Sequence, residues 1–191
     1  MIMDTLTTMF LVPVMVAIMA DEMPRLLFEF QGNEAAREWQ TVNDGVMGGG
    51  SRGRFEISQD KTLRFTGTLS LQNNGGFASV RSKAKRLGLQ PGDTLIVRVR
   101  GDGREYSLNL YTSEPRMAFS YRATLATKNE EWIEVKLPLT SFRATSFGRW
   151  IPNAGEVKPA DVTAIGFMLS DKTPGPFHLE IAWIQVQRGQ P

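Results

Sequence analysis

The chain has 191 residues, with 22 Lys and Arg against 20 Asp and Glu, a formal net charge of +2, one His and no Cys. It is long enough to bury a core and too mildly basic to demand nucleic acid as a partner. Without thiols it holds no disulfides, no Cys-ligated zinc, no thiol nucleophile and no iron–sulfur cluster. His178 would have to carry any imidazole acid–base work alone.

In chain order, the first feature is an apolar leader. Thr5 to Ala20 carries no charge, and Met9 to Ala20 is strongly apolar. That run is short for a membrane span and suits the hydrophobic region of a signal peptide, with Ala20 before Asp21-Glu22 as the cleavage point. Three features oppose this: no Lys or Arg precedes the run, Asp4 does, and Ile18 is large for the position three residues before the cut. Six of the nine Met fall in the first 23 positions, so Met23-Pro24-Arg25 also reads as a start. Residues 1–22 are thus a leader that is a signal peptide, a misassigned start or an uncleaved anchor. Residues 23–191 read as one domain, exported or periplasmic if the leader is genuine and otherwise cytoplasmic.

From Leu26 onward the pattern has period two, the strand period. Short helical stretches are predicted only at Glu34–Trp39, with Asn33 as N-cap, and at Pro159–Asp161. Leu63, Phe65, Leu69 and Leu71 alternate with Arg64, Thr66, Thr68 and Ser70. The same alternation runs through Leu95–Arg100, Leu108–Leu110, Ile133–Leu137, Ile165–Leu169 and Phe177–Ile181. Each run buries one face and solvates the other. Turn residues separate them, and Asp102-Gly103 predicts a hairpin with a type I′ turn. Eight to eleven strands at this spacing predict an all-β fold, an antiparallel jelly-roll-type β-sandwich.

Catalytic chemistry is poorly supported. Gly45-Val-Met-Gly-Gly-Gly-Ser51 is followed by a strand-like Arg54–Ile57 and not by a helix, so it is no phosphate cradle. Asp44, Asp102 and Asp171 sit at turns, where Asp is favoured for backbone reasons. No dense Asp/Asn run marks a calcium loop, and no catalytic, metal or cofactor residue is assigned. Arg81, Lys83, Lys85 and Arg86 read as a solvated face or a basic patch. Of Trp39, Trp132, Trp150 and Trp183, Trp150 lies in the irregular stretch 146–155 and is the best surface aromatic, suited to a protein anchor or to stacking on a sugar.

Several strings recur together: Trp39-Gln-Thr-Val-Asn-Asp-Gly-Val-Met-Gly-Gly49, Ser70-Leu-Gln-Asn-Asn-Gly-Gly-Phe-Ala-Ser-Val-Arg81, Arg100-Gly-Asp-Gly-Arg-Glu-Tyr106, Trp132–Pro138, and Gly166-Phe-Met168 with Asp171-Lys172. Over roughly Phe28 to Val186 the chain resembles the complex I intermediate-associated protein 30 family. The resemblance implies a galactose-binding-domain-like β-sandwich and a role in holding intermediates of NADH:ubiquinone oxidoreductase. It brings no catalytic residues. The absence of a long Arg-rich transit extension points to a bacterial-type member.

The resulting expectation is a non-catalytic protein-binding domain, an assembly factor or chaperone-like partner for a membrane complex. A carbohydrate-binding module is the alternative, and nucleic acid is not expected. The candidate partner or ligand surface comprises Asn43, Asp44, Met47, Asn73, Asn74, Arg81, Asp102, Arg104, Tyr106 and Trp150. Two arrangements are open for the loop residues among them: one polar face at the end of the sandwich, or an internal network that fixes the loops.

Overall fold

The computed structural model describes residues 23–113 and 118–189, and the apolar leader lies outside them. One sheet has six strands. Its path runs β3 (Arg52–Ile57), β4 (Leu63–Leu69), β13 (Gly175–Gln187), β6 (Thr94–Gly101), β9 (Ile133–Pro138), and β1 (Arg25–Glu29) pairs with β13 beside β4. The other has seven, in the order β11 (Arg149–Trp150), β10 (Arg143–Ser146), β8 (Phe119–Ala126), β7 (Glu105–Thr112), β12 (Val162–Leu169), β5 (Ala78–Ser82), β2 (Trp39–Asn43). Every pair of these strands is antiparallel. The fold is the all-β sandwich that the alternation predicts.

The core lies between the sheets. Leu63, Phe65, Leu95, Val97, Val99, Leu179 and Ile181 from the first meet Leu108, Leu110, Leu125, Ile165, Phe167 and Leu169 from the second, all at 0% exposure. Each such side chain contributes about 1.5–3 kcal/mol relative to exposure. The long strand β13 organises the first sheet. Its inward residues are Phe177, Leu179 and Ile181, then Ile184 and Val186, so the phase slips by one. The slip is a bulge at Ala182, where the register with β6 shifts between Ile181 and Trp183. A bulge adds one unpaired residue and twists the strand, and beyond it β13 gains β1 as its neighbour.

Two expectations are corrected, and one of the four tryptophan candidates is placed in the core. The helix α1 (Gly32–Arg37) starts one residue before the predicted cap Asn33, with Gln31 as N-cap. Trp39 is no surface aromatic: it is 4% exposed and packs against Phe28, Phe30 and Phe167, with ring centroids 5.2, 5.7 and 6.3 Å away. The predicted Asp102-Gly103 hairpin does not form, because β6 and β7 belong to different sheets. Only Gly103 takes positive φ (82°) there, and a type I′ turn needs it at both central positions. The segment is a crossover between the two sheets.

Candidate functional site: two loop networks and an exposed aromatic turn

Asp44 follows β2 and opens a short 3-10 turn, Asp44–Met47. Its carboxylate is fully buried. Oδ1 accepts the Ser51 N–H (2.8 Å), and Oδ2 accepts the Ser51 hydroxyl (2.6 Å) and the N–H groups of Gly76 (2.7 Å) and Phe77 (3.3 Å). Burial pushes this carboxyl up, but the bonds from Ser51, Gly76 and Phe77 together outweigh it and hold it below the ordinary value. Asn43 Nδ2 donates to Gly53 O (2.9 Å), and Asn73 Nδ2 to Gly48 O (3.3 Å). The glycines explain the tightness. A Cβ on Gly75 would lie 2.5 Å from Asp44 Oδ2, and one on Gly49 would overlap the same carboxylate. Two of the recurring strings are therefore one clasp joining the 43–51 and 70–77 loops.

The second clasp is built on the crossover. Arg104 Nε and Nη2 donate to Asp171 Oδ2 and Oδ1 at 2.9 and 2.7 Å, and the same guanidinium donates to Pro176 O (2.9 Å) and Thr173 O. The Asp171 hydrogen bond raises the Arg104 pKa further. For Asp171, burial works upward but the Arg104 bonds win, leaving it below its ordinary value. Tyr106 Oη lies 3.1 Å from Asp102 Oδ2 and 3.0 Å from His178 O, while Asp102 Oδ2 accepts the His178 N–H at 3.0 Å. Burial and the Asp102 charge drive the Tyr106 phenol far upward, so it stays neutral. His178 faces out, with Nε2 2.7 Å from Glu130.

The ten predicted surface residues thus separate. Asp44 and Tyr106 are interior, at 0% and 1% exposure, and Asp102 and Arg104 are spent on internal bonds. Met47, Asn73 and Asn74 are exposed on the first clasp. Arg81 lies on the outer face of the seven-stranded sheet, its guanidinium 3.5 Å over the Tyr111 ring. Trp150 is 61% exposed on the edge strand β11, far along the sheet from Arg81. Of the basic run, Lys85 is bound to Glu38 at 2.8 Å and sits over Phe28.

One surface residue escapes the sequence reading. Phe147 is 55% exposed and occupies, with Gly148, the two-residue turn between β10 and β11, whose flanking Ser146 and Arg149 pair. Both turn residues have positive φ, 48° and 72°, the requirement of a type I′ turn. Phe is a poor choice there, because a bulky side chain at positive φ is strained. The signal was the Phe147-Gly148 pair flanked by Thr145 and Trp150.

Comparison with known proteins bears on the whole span. Relatives are the mouse complex I intermediate-associated protein 30, mitochondrial, 29% identical over 86% of this chain and 56% of its own length, and the Drosophila melanogaster protein of the same name, 27% identical over 85% and 62%. The chain therefore spans about 56–62% of the length of these relatives. In three dimensions it is similar to the family 11 carbohydrate-binding module of a cellulosomal cellulase of Clostridium thermocellum, with a TM-score of 0.64 over 88% of this chain and 97% of that one, at 11% identity. It is also similar to part of an agarase, with a TM-score of 0.60 over 88% of this chain and 25% of that one, at 11% identity. At such identities the likeness is one of fold. The model of the complex I intermediate-associated protein 30 family matches residues 28–181, a span that contains both clasps and the aromatic turn, and the chain belongs to that family.

Proposed function

We propose that this chain is a non-catalytic binding domain that works through protein contacts, as an assembly factor or chaperone-like partner for an intermediate of a membrane complex such as NADH:ubiquinone oxidoreductase. The observation that carries the reading is Phe147. An exposed aromatic held at φ 48° on an edge hairpin costs stability of about 1–3 kcal/mol and offers nothing to the core. Such a residue is explained by contact, since aromatic anchors dominate protein interfaces. Trp150, 61% exposed on the same hairpin, adds a second exposed aromatic. The names of the mouse and fly relatives support the choice of partner. A non-catalytic role is supported by the carboxylates of Asp44, Asp102 and Asp171, which are engaged by their own loops.

The test is affinity purification of the tagged chain from mild detergent extracts. The reading expects subunits of a membrane complex with the native sequence and their loss in a Phe147→Ser, Trp150→Ala double variant. Failure to recover any partner, or recovery unchanged by the double variant, rejects it.

A carbohydrate-binding module is the second reading, favoured by the fold shared with the family 11 module and by the exposed Trp150. A glycan array distinguishes them: binding abolished by Trp150→Ala supports this reading, and a flat array removes it.

A further inference from the structure

The outer faces of the two sheets treat their arginines differently. On the six-stranded sheet the three arginines of the inner strands β4 and β6 each have a carboxylate, while Arg52 and Arg54 on the edge strand β3 join no ion pair among the described residues. Glu180 lies 2.7 Å from both Arg64 and Arg100, its register partners on β4 and β6, and Glu134 lies 3.2 Å from Arg98. On the seven-stranded sheet the register aligns Gln40, Arg81, Gly166, Asn109, Arg122 and Arg143 in one row across β2, β5, β12, β7, β8 and β10. None of its three arginines joins an ion pair among the described residues. Arg122 and Arg143 stand directly opposite each other, a like-charge pairing that works against the sheet. The one carboxylate on the strands of this sheet, Glu105, is four residues along β7 from Asn109.

The row is also under-bonded. Among the described residues, five buried side-chain polar atoms lack a hydrogen-bond partner: two belong to this row, Arg81 Nε and Asn109 Nδ2, and a third is Tyr111 Oη, two residues along β7 from Asn109. All three can donate, and the first two can only donate. Asn109 is fully buried and Tyr111 is 9% exposed. Gly166 makes the arrangement possible. A Cβ there would lie 3.1 Å from Tyr111 Cε2, so the missing side chain lets the Tyr111 ring lie over β12, and Arg81 covers the ring. Arg122 Nε donates to Asn109 Oδ1 at 3.0 Å, while its Nη2 faces only the Met168 sulfur at 3.1 Å, a weak acceptor. Burial lowers the Arg122 pKa, with no carboxylate to offset it. Burial likewise raises that of Tyr111, against the pull of Arg81 and Arg122.

Unpaired cations and orphaned donors, with acceptors missing, specify an anion that brings oxygen lone pairs. We infer that this row is a carboxylate-binding site, in which the guanidiniums of Arg81 and Arg122 clamp an Asp or Glu side chain of a protein partner. The inference rests on the protein-contact reading and adds the chemistry of the partner. A planar guanidinium matches a carboxylate in two-pronged geometry. Arg81 moves off Tyr111 onto the carboxylate, opening the Tyr111 hydroxyl and the Asn109 amide to the same ligand. A neutral sugar is the poorer occupant, because its hydroxyls bring no charge to offset Arg81 and Arg122.

The test uses the full chain and a fluorescent oligoglutamate peptide followed by anisotropy, with oligolysine and oligogalacturonate as comparisons. Oligoglutamate is expected to bind, with affinity falling about tenfold or more in Arg122→Gln and in Arg81→Gln and unchanged in Arg98→Gln on the other sheet. Arg81→Gln removes no ion pair, only the contact of the guanidinium with Tyr111, and serves as the folded variant should Arg122→Gln unfold. No binding, equal loss in Arg98→Gln, or tighter binding of oligogalacturonate overturns the inference. Affinity purification with Arg81→Gln separates the two readings. A partner recovered equally by native chain and variant sinks the site alone. Oligoglutamate binding through Arg81 and Arg122 with no partner recovered sinks the assembly role alone.

Discussion

Arg104 grips Asp171 with two parallel bonds, Nε to Oδ2 at 2.9 Å and Nη2 to Oδ1 at 2.7 Å, across 67 positions of sequence. The pair ties the inter-sheet crossover to the loop that leads into β13. Both side chains are largely buried, at 14% and 17% exposure. Removing one partner leaves the other charge unpaired, so Asp171→Asn should cost about 2–3 kcal/mol in urea unfolding. Arg104→Lys should cost a similar amount, because an ammonium reproduces neither the fork nor the added bonds to Thr173 and Pro176. A loss below about 0.5 kcal/mol in both variants would show the clasp to be dispensable.

Acid should unfold the protein through the two carboxylates that anchor the clasps. Asp44 and Asp171 are both held below the ordinary aspartate value. A folded-state value below the unfolded one means that the stabilisation is fully present above the unfolded value. It is lost as pH falls through the folded one. Stability measured by denaturant between pH 6 and pH 3 should therefore fall (a range spanning the usual carboxylate value of about 3.9). The slope should flatten in Asp44→Asn and in Asp171→Asn, each of which has one fewer such group. An unchanged slope in both variants would contradict the assignment.

The first clasp makes a steric prediction. Gly45, Gly49 and Gly75 lie close in sequence to the Asp44 network, but only the last two have Asp44 in the space a Cβ would take, and a Cβ on Gly45 would meet nothing within 4 Å. Gly49→Ala and Gly75→Ala should each destabilise by about 1–3 kcal/mol, while Gly45→Ala should stay within about 0.5 kcal/mol. Thermal melts of the three variants suffice. Equal effects would mean that the glycines serve the backbone alone.

Much of the sandwich was legible in period-two alternation, because a strand with one buried face must alternate. The runs at 63–69, 95–99, 165–169 and 177–181 are core strands. Alternation says nothing of which strands pair. Asp102-Gly103 had the residues of a hairpin turn and serves a crossover, whereas Phe147-Gly148, with an unfavourable residue first, makes the type I′ turn. Pairing is decided by burial of both sheet faces across distant sequence. The site was less legible for a related reason. Asp44 and Tyr106 are polar in sequence and read as surface, yet their hydrogen bonds let them be interior. Asn109 and Arg122 occupy the outward positions of ordinary strands, and only the register puts them beside Arg81.

Gly166 should control the geometry of the arginine row without bearing any ligand contact itself. A methyl there would meet Val80 O at 2.8 Å and Tyr111 Cε2 at 3.1 Å. Backbone on one side cannot yield, so the Tyr111 ring must. Gly166→Ala should destabilise by about 1–3 kcal/mol and alter the near-ultraviolet tyrosine signal. Unaltered spectra with native stability would show that the ring does not depend on the missing side chain.

The strained turn yields the prediction that separates function from fold. Phe147 at φ 48° stands where Asn or Gly is preferred, since these residues tolerate the left-handed region. Its side chain is 55% exposed, so replacing it removes little packing. Phe147→Asn should therefore raise stability by about 0.5–1 kcal/mol in urea unfolding, the strain released at a tolerant site. The same variant should recover less partner in affinity purification, because it removes an aromatic anchor. Gain in stability with loss of binding is the signature of a residue kept for contact. Loss of stability with binding intact would make Phe147 a structural residue, and would leave Trp150 alone to carry the hairpin's role.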